Sequence, residues 1–420
     1  MDSDPDGCFI FFGAVEVLRN HDVPYRFRQN SDFYYLTEYD EPGAILVLVK
    51  GMSHLFVQER DPDREIWDGE RYGVERAKLV FDVDATHLTR DFYPKLEELL
   101  TDAKRVYYRF GEEQARIAGR DDKILATIHK AIRFQGSGRH GAIPIHDPTP
   151  MVGALRLVKD ETEIALIRKA CSISARAHVQ LMKRVKAGMS EFEAAAEFQY
   201  FIYKNGCTDM GYDPIFAGGH NATTLHYMRN NDTLKHGDLL LVDAGGEVGL
   251  YTADITSTFP VSSTFSPEQR KIYEKVLEIS RTITAMAKPG VSYRELHTRS
   301  AELATEALLS LGVLTGDLRE NVIQVNYRKY YPHGLGHYLG LDVHDTGVYH
   351  ERGVDVVLKP GMILTNEPGL YFRERGNPYF GIGVRIEDDL LITDQGCEVL
   401  TRELPRDIDA IEQLRTIANT

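Results

Sequence analysis

The sequence predicts an α/β (α+β) protein of two domains, a smaller α/β domain over residues 1–150 and a larger one over residues 151–420 made of two related halves. Three observations predict it. A chain of 420 residues is too long for one ordinary core. Its hydrophobic content of 43% and charged content of 27% are those of a folded globular chain. In the second domain two short patterns recur in the same order: Lys186, Gly188, Ser190 and Glu193 return as Lys288, Gly290, Ser292 and Glu295. HGDLLLVDAG then returns as PGMILTNEPG, which lays Gly237 over Gly361 and Asp243 over Glu367. Two ordered repeats point to a duplicated α/β half. Facing halves create a cleft lined by the carboxylates of each.

Taken in order, CFIFFGA, AILVLV and SHLFVQE read as strands of the first domain, and FYPKLEELL and ILATIHKAI as amphipathic helices. The domain closes where Gly, His and Pro accumulate in GRHGAIPIHDPTP. Its lone tryptophan, Trp67, would ordinarily be a core aromatic. The polar flanks of EIWDGERYG also allow an interface or a pocket rim. The second domain starts with a helical pattern over residues 160–185, with Ile164, Ile167, Cys171 and Leu181 on its apolar positions. Ser190 with Glu193, Ser266 with Gln269 and Ser292 with Glu295 are capping boxes that start three further helices. Pro267 suits the first position of its helix.

Charge and cysteine usage exclude several classes. With 49 basic against 63 acidic residues the net charge is −14, which disfavours nucleic acid and anionic membrane surfaces as partners. Cys8, Cys171, Cys207 and Cys397 show no CxxC spacing, so they read as reduced thiols of a cytoplasmic protein. No run approaches the ~18 apolar residues of a membrane helix. The opening MDSDPDGCFIFFGAVEVL lacks a basic start, and Glu16 breaks its apolar part, so no secretory signal is expected.

The chemistry gathers around YPHGLGHYLGLDVH, which carries His333, His337 and His344. Asp243 ends the apolar run LLLVD, where an acid is costly unless a cation or hydrogen bonds compensate. Asp254 is placed symmetrically to it about Val248–Gly249, so a tight hairpin there would set the two acids opposite each other. Glu367 ends GMILTN, and Glu387 follows the strand-like GIGVRI. Period-two alternation puts Arg385 beside Glu387, as a partner able to orient carboxylates, with Asp388 and Asp389 left to solvent. His333 and His337 have the spacing of a helical zinc pair, but Gly334 and Gly336 argue against a helix and no HExxH glutamate is present. His344 and His226 fall in strand-like LGLDVHD and TTLHYM. Singly, each histidine reads as structural; four acids in their company make them ligand candidates. An oxygen-rich donor set with a single imidazole suits two divalent ions, Mn²⁺ above Zn²⁺, Co²⁺ or Fe²⁺. Two such ions sharing carboxylates activate water, so the reaction class is hydrolysis.

The ordered set VDAGGEVGLYTADITSTFP, HGLGHYLGLDVHD, LTNEPGLYF and GVRIEDD resembles the pita-bread metallopeptidases, aminopeptidase P and prolidase in particular. NHDVPYRFRQNSDFYYLTEYDEPGAILVL resembles the N-terminal domain of aminopeptidase P, so the resemblance spans nearly the whole chain. It implies a C-terminal pita-bread fold with an internal pseudo-twofold. It also implies that Asp243 and Asp254 hold one ion, that Asp254 and Glu387 bridge, and that His337 and Glu367 hold the second ion. By the same resemblance Glu367 is the acid/base, and His226, His333 and His344 contact a proline-containing peptide. Arg385 and Tyr371 support them, and Trp67 reaches towards a neighbouring subunit's cleft in a homo-oligomer, a dimer or tetramer. The implied activity is release of an N-terminal residue from peptides with proline second. A dipeptide-restricted prolidase and a non-catalytic peptide-binding module on the same scaffold stand as alternatives. Two departures touch oligomer geometry: the chain begins close to its first strand, and Glu38 stands in TEYDEP where glycine is common.

Overall fold

The computed structural model describes residues 4–101, 103–112, 119–134 and 143–419. It forms two compact units, Met1–Val152 and Gly153–Thr420. Of the GRHGAIPIHDPTP segment, residues 138–142 lie outside the described residues, as do residues 1–3 of the opening stretch.

The N-terminal unit is a mixed six-stranded sheet. Gly7–Phe12 lies between Ile45–Val49, which it meets antiparallel, and Arg105–Tyr107, which it meets parallel; Met52–Val57 and Ala85–Leu88 extend one edge and Ile145–His146 the other. GCFIFF is apolar throughout because both faces of the strand are covered. Cys8 and Ile10 pack with Phe92, Leu96, Ile124 and Ile128, from the helices Phe92–Leu99 and Arg120–Phe134. Phe9 and Phe11 pack on the other face with Phe33, Tyr39 and Ala77. Glu38 closes the helix Ser31–Thr37 in the left-handed conformation (φ 56°), which explains why glycine suits that position. Trp67 is no core residue: it stands 86% exposed on the helix Pro62–Asp68.

The C-terminal unit carries the duplication in its hydrogen bonds. The Gly188 N–H donates to the Leu234 carbonyl at 2.9 Å, and the Leu234 N–H returns to Met189 at 2.8 Å. In the second half Gly290 donates to Leu358 at 3.0 Å, and Leu358 returns to Val291 at 2.8 Å. Gly188, Gly290, Gly237 and Gly361 all have φ near +90°, so the repeated glycines are required by the turns they make. Each half is a helix pair on a small antiparallel sheet. Glu161–Arg184 and Glu191–Lys204 accompany the sheet Ile215–Gly218, Leu239–Asp243 and Thr256–Pro260. Pro267–Met286 and Tyr293–Ser310 accompany Ile363–Asn366, Asp388–Ile392 and Cys397–Val399. The three predicted capping boxes form, and Asp160 with Glu163 makes a fourth.

The hairpin after Asp243 corrects one expectation. Gly249 (φ 58°) and Leu250 (φ 65°) form the turn, so Val248 pairs with Tyr251 and Asp243 pairs with Thr256. Asp254 therefore stands two residues short of the position across from Asp243, on a diagonal of the same face. His226 and His344 are not on strands either; both sit in turns and loops, and both are exposed.

Two buried polar side chains from helices lock this unit. Arg415, on the final helix Ile408–Asn419, donates to the carbonyls of Met182, Val185, Pro260 and Val261. It thereby satisfies the C-terminal end of the long helix and the end of a strand together. His178, fully buried on the long helix, donates through Nε2 to the Ala244 carbonyl at 2.9 Å and accepts at Nδ1 from the Ser257 hydroxyl at 2.8 Å. It pins both arms of the hairpin that bears Asp243 and Asp254. Replacing Arg415 with Met should cost about 2–4 kcal/mol, because buried carbonyls lose their donors. Urea denaturation at neutral pH checks this, and an unchanged midpoint would refute it. Burial pushes His178 down to about 3, so the fold holds it neutral. Its contribution is complete above the unfolded value of about 6.5 and is lost progressively as pH falls from there towards 3. The urea midpoint of the wild type should thus decline more steeply between pH 6.5 and 4 than that of His178→Gln, and parallel declines would argue against a neutral buried imidazole.

Candidate active site

Each of the four predicted acids sits where the chain leaves one sheet for another. Asp243 is the last residue of Leu239–Asp243, and Asp254 falls between Tyr251–Thr252 and Thr256–Pro260. Glu367 lies between Ile363–Asn366 and Gly369–Tyr371, and Glu387 between Gly383–Arg385 and Asp388–Ile392. At such junctions backbone pairing lapses, and the side chains of both halves turn into a common space. Asp254, His337 and Glu387 bring ligand atoms within 4.8 Å of one another. His337 Nε2 stands 3.3 Å from Asp254 Oδ2 and 3.6 Å from Glu367 Oε1. Asp243 faces Arg385 and the Tyr212 hydroxyl, which donates to it at 2.7 Å.

The loop bearing His337 is fixed from behind. The His337 N–H donates to Thr365 Oγ1 at 3.0 Å, and its carbonyl accepts from the Thr365 N–H at 2.8 Å. This approach is close enough that a Cβ on Gly336 would lie 2.3 Å from the Thr365 carbonyl oxygen, so only glycine fits. His337 Nδ1 donates to the Tyr338 carbonyl at 3.0 Å, which leaves Nε2 aimed at the acids. Further along, buried Arg156 and Lys159 both hold Asp345, next to His344, whose ring lies 4.2 Å from that of His337.

His333 is arranged differently. Its Nδ1 donates to the Gly334 carbonyl at 2.8 Å, and Nε2 accepts from the Tyr371 hydroxyl at 2.9 Å. Tyr371 in turn accepts from Arg385 at 3.0 Å. Arg385 also donates to Asp243 and, through Nε, to Thr256 Oγ1 at 3.0 Å, while the Thr256 hydroxyl donates to Glu387 at 2.6 Å. Arg385 thus orients Asp243 directly and Glu387 through a threonine, where alternation had placed it simply beside Glu387. Asp388 and Asp389 are not solvated. Asp388 meets Arg406 and Thr401, and Asp389 accepts from the Asp254 N–H at 3.1 Å and from the Cys171 thiol.

The electrostatics follow from burial. Burial, with Asp254 adding to it, pushes the Glu387 carboxyl well above its usual range. Burial raises Asp243 against the pull of Arg385, and lifts Glu367 to about 8. Burial disfavours charge on His337, but Asp254 and then Glu367 overcome it and raise the imidazole to about 9. His333, buried and near the Arg385 charge, is driven down to about 3 and stays neutral. Four acids, three of them resisting ionisation, against one guanidinium form a donor set that calls for positive charge. Oxygen donors with one imidazole fit hard or borderline divalent cations.

Tyr212, Thr256 and Thr365 were not anticipated from the sequence. Each acts across the fold, and a lone hydroxyl carries no local periodic signal. Trp67 lies in the N-terminal unit, and His226 at an exposed turn whose charge is felt by His333 and His344.

Comparison with known proteins gives the same picture. The model of metallopeptidase family M24 matches residues 165–394, and that of the aminopeptidase P N-terminal domain matches residues 1–107. The chain is 38% identical over 422 residues to Xaa-Pro aminopeptidase of Escherichia coli, covering 99% of this chain and 95% of that one. It is 37% identical over 417 residues to Xaa-Pro aminopeptidase of Haemophilus influenzae, covering 98% and 93%. Among solved structures, zinc-substituted E. coli aminopeptidase P in complex with product superposes with a TM-score of 0.94 at 37% identity, covering 99% and 96%. Pseudomonas aeruginosa aminopeptidase PepP gives a TM-score of 0.93 at 38% identity, covering 99% and 95%. With both modules in order, a shared fold and this identity along its length, the chain belongs to metallopeptidase family M24 and, within it, to the aminopeptidase P family.

Proposed function

We propose that the chain is a two-metal Xaa-Pro aminopeptidase that releases the N-terminal residue from peptides with proline second, and that it acts on tripeptides and longer chains. The observation that carries this reading is the convergence of Asp254, His337 and Glu387 on one space, with Glu367 beside them. The relatives named Xaa-Pro aminopeptidase support the substrate class.

Asp243, Asp254, His337, Glu367 and Glu387 would hold two divalent ions, Mn²⁺ above Zn²⁺ or Co²⁺. Bound there, the ions would polarise the scissile carbonyl and acidify water. Glu367 is the acid/base. Its side chain is 19% exposed against 8% for Asp254, so it is the more open to substrate. It takes a proton from the attacking water and delivers it to the proline nitrogen. His226 and His344, both exposed, bind and orient the peptide. His333, neutral and held by Tyr371, presents a fixed apolar ring edge to the proline. Arg385 keeps Asp243 aimed directly and Glu387 aimed through the Thr256 hydroxyl.

Further readings concern the setting. The cysteines are unpaired thiols, three of them buried, which supports a reducing, cytoplasmic location. No helix among the described residues is long and apolar enough to cross a membrane. Ile66, Trp67 and Leu79 are strongly exposed apolar side chains, which supports association of copies through the N-terminal unit.

Asp254→Asn should lower Xaa-Pro tripeptide turnover by at least about 10³-fold while leaving the thermal midpoint within a few degrees of wild type. Near-normal cleavage would refute the assignment. After chelation and dialysis, cleavage of a Xaa-Pro-Xaa tripeptide should be lost and return with added Mn²⁺, with the Xaa-Pro dipeptide cleaved much more slowly. A dipeptide preference would instead favour a prolidase, and full activity after chelation would remove the metal from the reading.

A further inference from the structure

The two halves share a feature that neither the ligand set nor the family comparison assigns. In each half the helix that follows the repeated glycine turn begins, after its serine cap, with a side chain that grips a glycine-bearing loop. In the first half that residue is Glu191, fully buried at the start of Glu191–Lys204. Its carboxyl accepts four hydrogen bonds. Oε1 receives the Gly218 N–H at 2.7 Å and the Asn221 amide at 3.0 Å, and Oε2 receives the Tyr227 hydroxyl and the Asp232 N–H, both at 2.9 Å. Both ends of the loop FAGGHNATTLHY are thus tied to one carboxyl, and Tyr227 is the residue next to His226. In the second half the matching position is Tyr293, at the start of Tyr293–Ser310. Its hydroxyl accepts from the Gly336 N–H at 2.9 Å and donates to the Gly336 carbonyl. Gly336 is the residue next to His337.

A buried carboxyl with every lone-pair direction filled is a rigid support, because losing any one donor leaves a polar group without a partner. Neither residue touches the acids, and each stands one side chain away from a site histidine. The geometry points to Glu191 and Tyr293 as a pseudo-symmetric pair of positioning residues: Glu191 sets His226 on the substrate side, and Tyr293 sets His337 on the metal side. The pairing rests on the roles given to those histidines above.

The two arms make different predictions, so a general loss of folding cannot imitate them. Glu191→Gln replaces one carboxyl oxygen with an amide that cannot accept. It should lower kcat/KM for an Ala-Pro-Ala tripeptide by about 10–100-fold, the usual scale for outer supporting partners. Mn²⁺ affinity, measured by calorimetry without substrate, should remain within about twofold of wild type. Built on His226→Ala, the same change should cost less than about twofold, since its target is already gone. Tyr293→Phe should do the reverse and weaken Mn²⁺ binding by about 10–100-fold. Should Glu191→Gln fail to fold, Tyr227→Phe removes a single donor and should show the same non-additivity with His226→Ala. An undiminished loss on the His226→Ala background, or unchanged Mn²⁺ affinity in Tyr293→Phe, would overturn the pairing. Wild-type activity of His226→Ala alone would instead overturn the role assigned to that histidine.

Discussion

Four carboxyl groups share a pocket with one buried guanidinium, and the surrounding architecture answers that imbalance of charge. Arg385 reaches Asp243, Thr256 and Tyr371, but it cannot neutralise Asp254, Glu367 and Glu387 as well. Burial therefore raises Glu387 and Glu367, and the nearest imidazole, His337, is drawn towards its charged form. A pair of divalent cations resolves such a set more completely than protons do, because each cation satisfies several oxygens at once. Carboxyls this crowded cost a fold stability, which is why their convergence says more about chemistry than any single acid does.

Duplication is the economical route to such a pocket. Each half supplies an acid at or just past the end of a short strand, Asp243 in one and Glu367 in the other, and a second acid where the chain returns. The halves also supply the same capped helix and the same glycine turn, with matching hydrogen bonds around Leu234 and Leu358. They diverge where the chemistry does. The helix-start position is Glu191 in one half and Tyr293 in the other, and only the second half brings histidines up against the acids.

Support for the site comes largely from helices. His178 ties the hairpin of Asp243 and Asp254 to the long helix, and the Cys171–Asp389 contact ties the Asp254 backbone to that same helix one and a half to two turns earlier. Side chains anchored to a rigid helix hold a loop more firmly than loop–loop contacts do, because the helix loses little freedom in making them.

Much of this was legible in the sequence, because it was written locally. Strand alternation, capping boxes, repeated glycines and an acid at the end of an apolar run are patterns within a few residues, and they gave the elements, the duplication and the acids and histidines of the site. What tertiary structure alone decided involves partners far apart along the chain. The turn at Gly249 and Leu250 shifted Asp254 onto a diagonal from Asp243, a matter of backbone geometry that symmetry of spacing could not resolve. Asp388 and Asp389 proved buried because Arg406 and Cys171 arrive from distant segments to receive them. Tyr212 became part of the site, and His226 and His344 fell on exposed turns, for the same reason: a side chain's surroundings are set by what packs against it, and the residues that pack here lie in other elements.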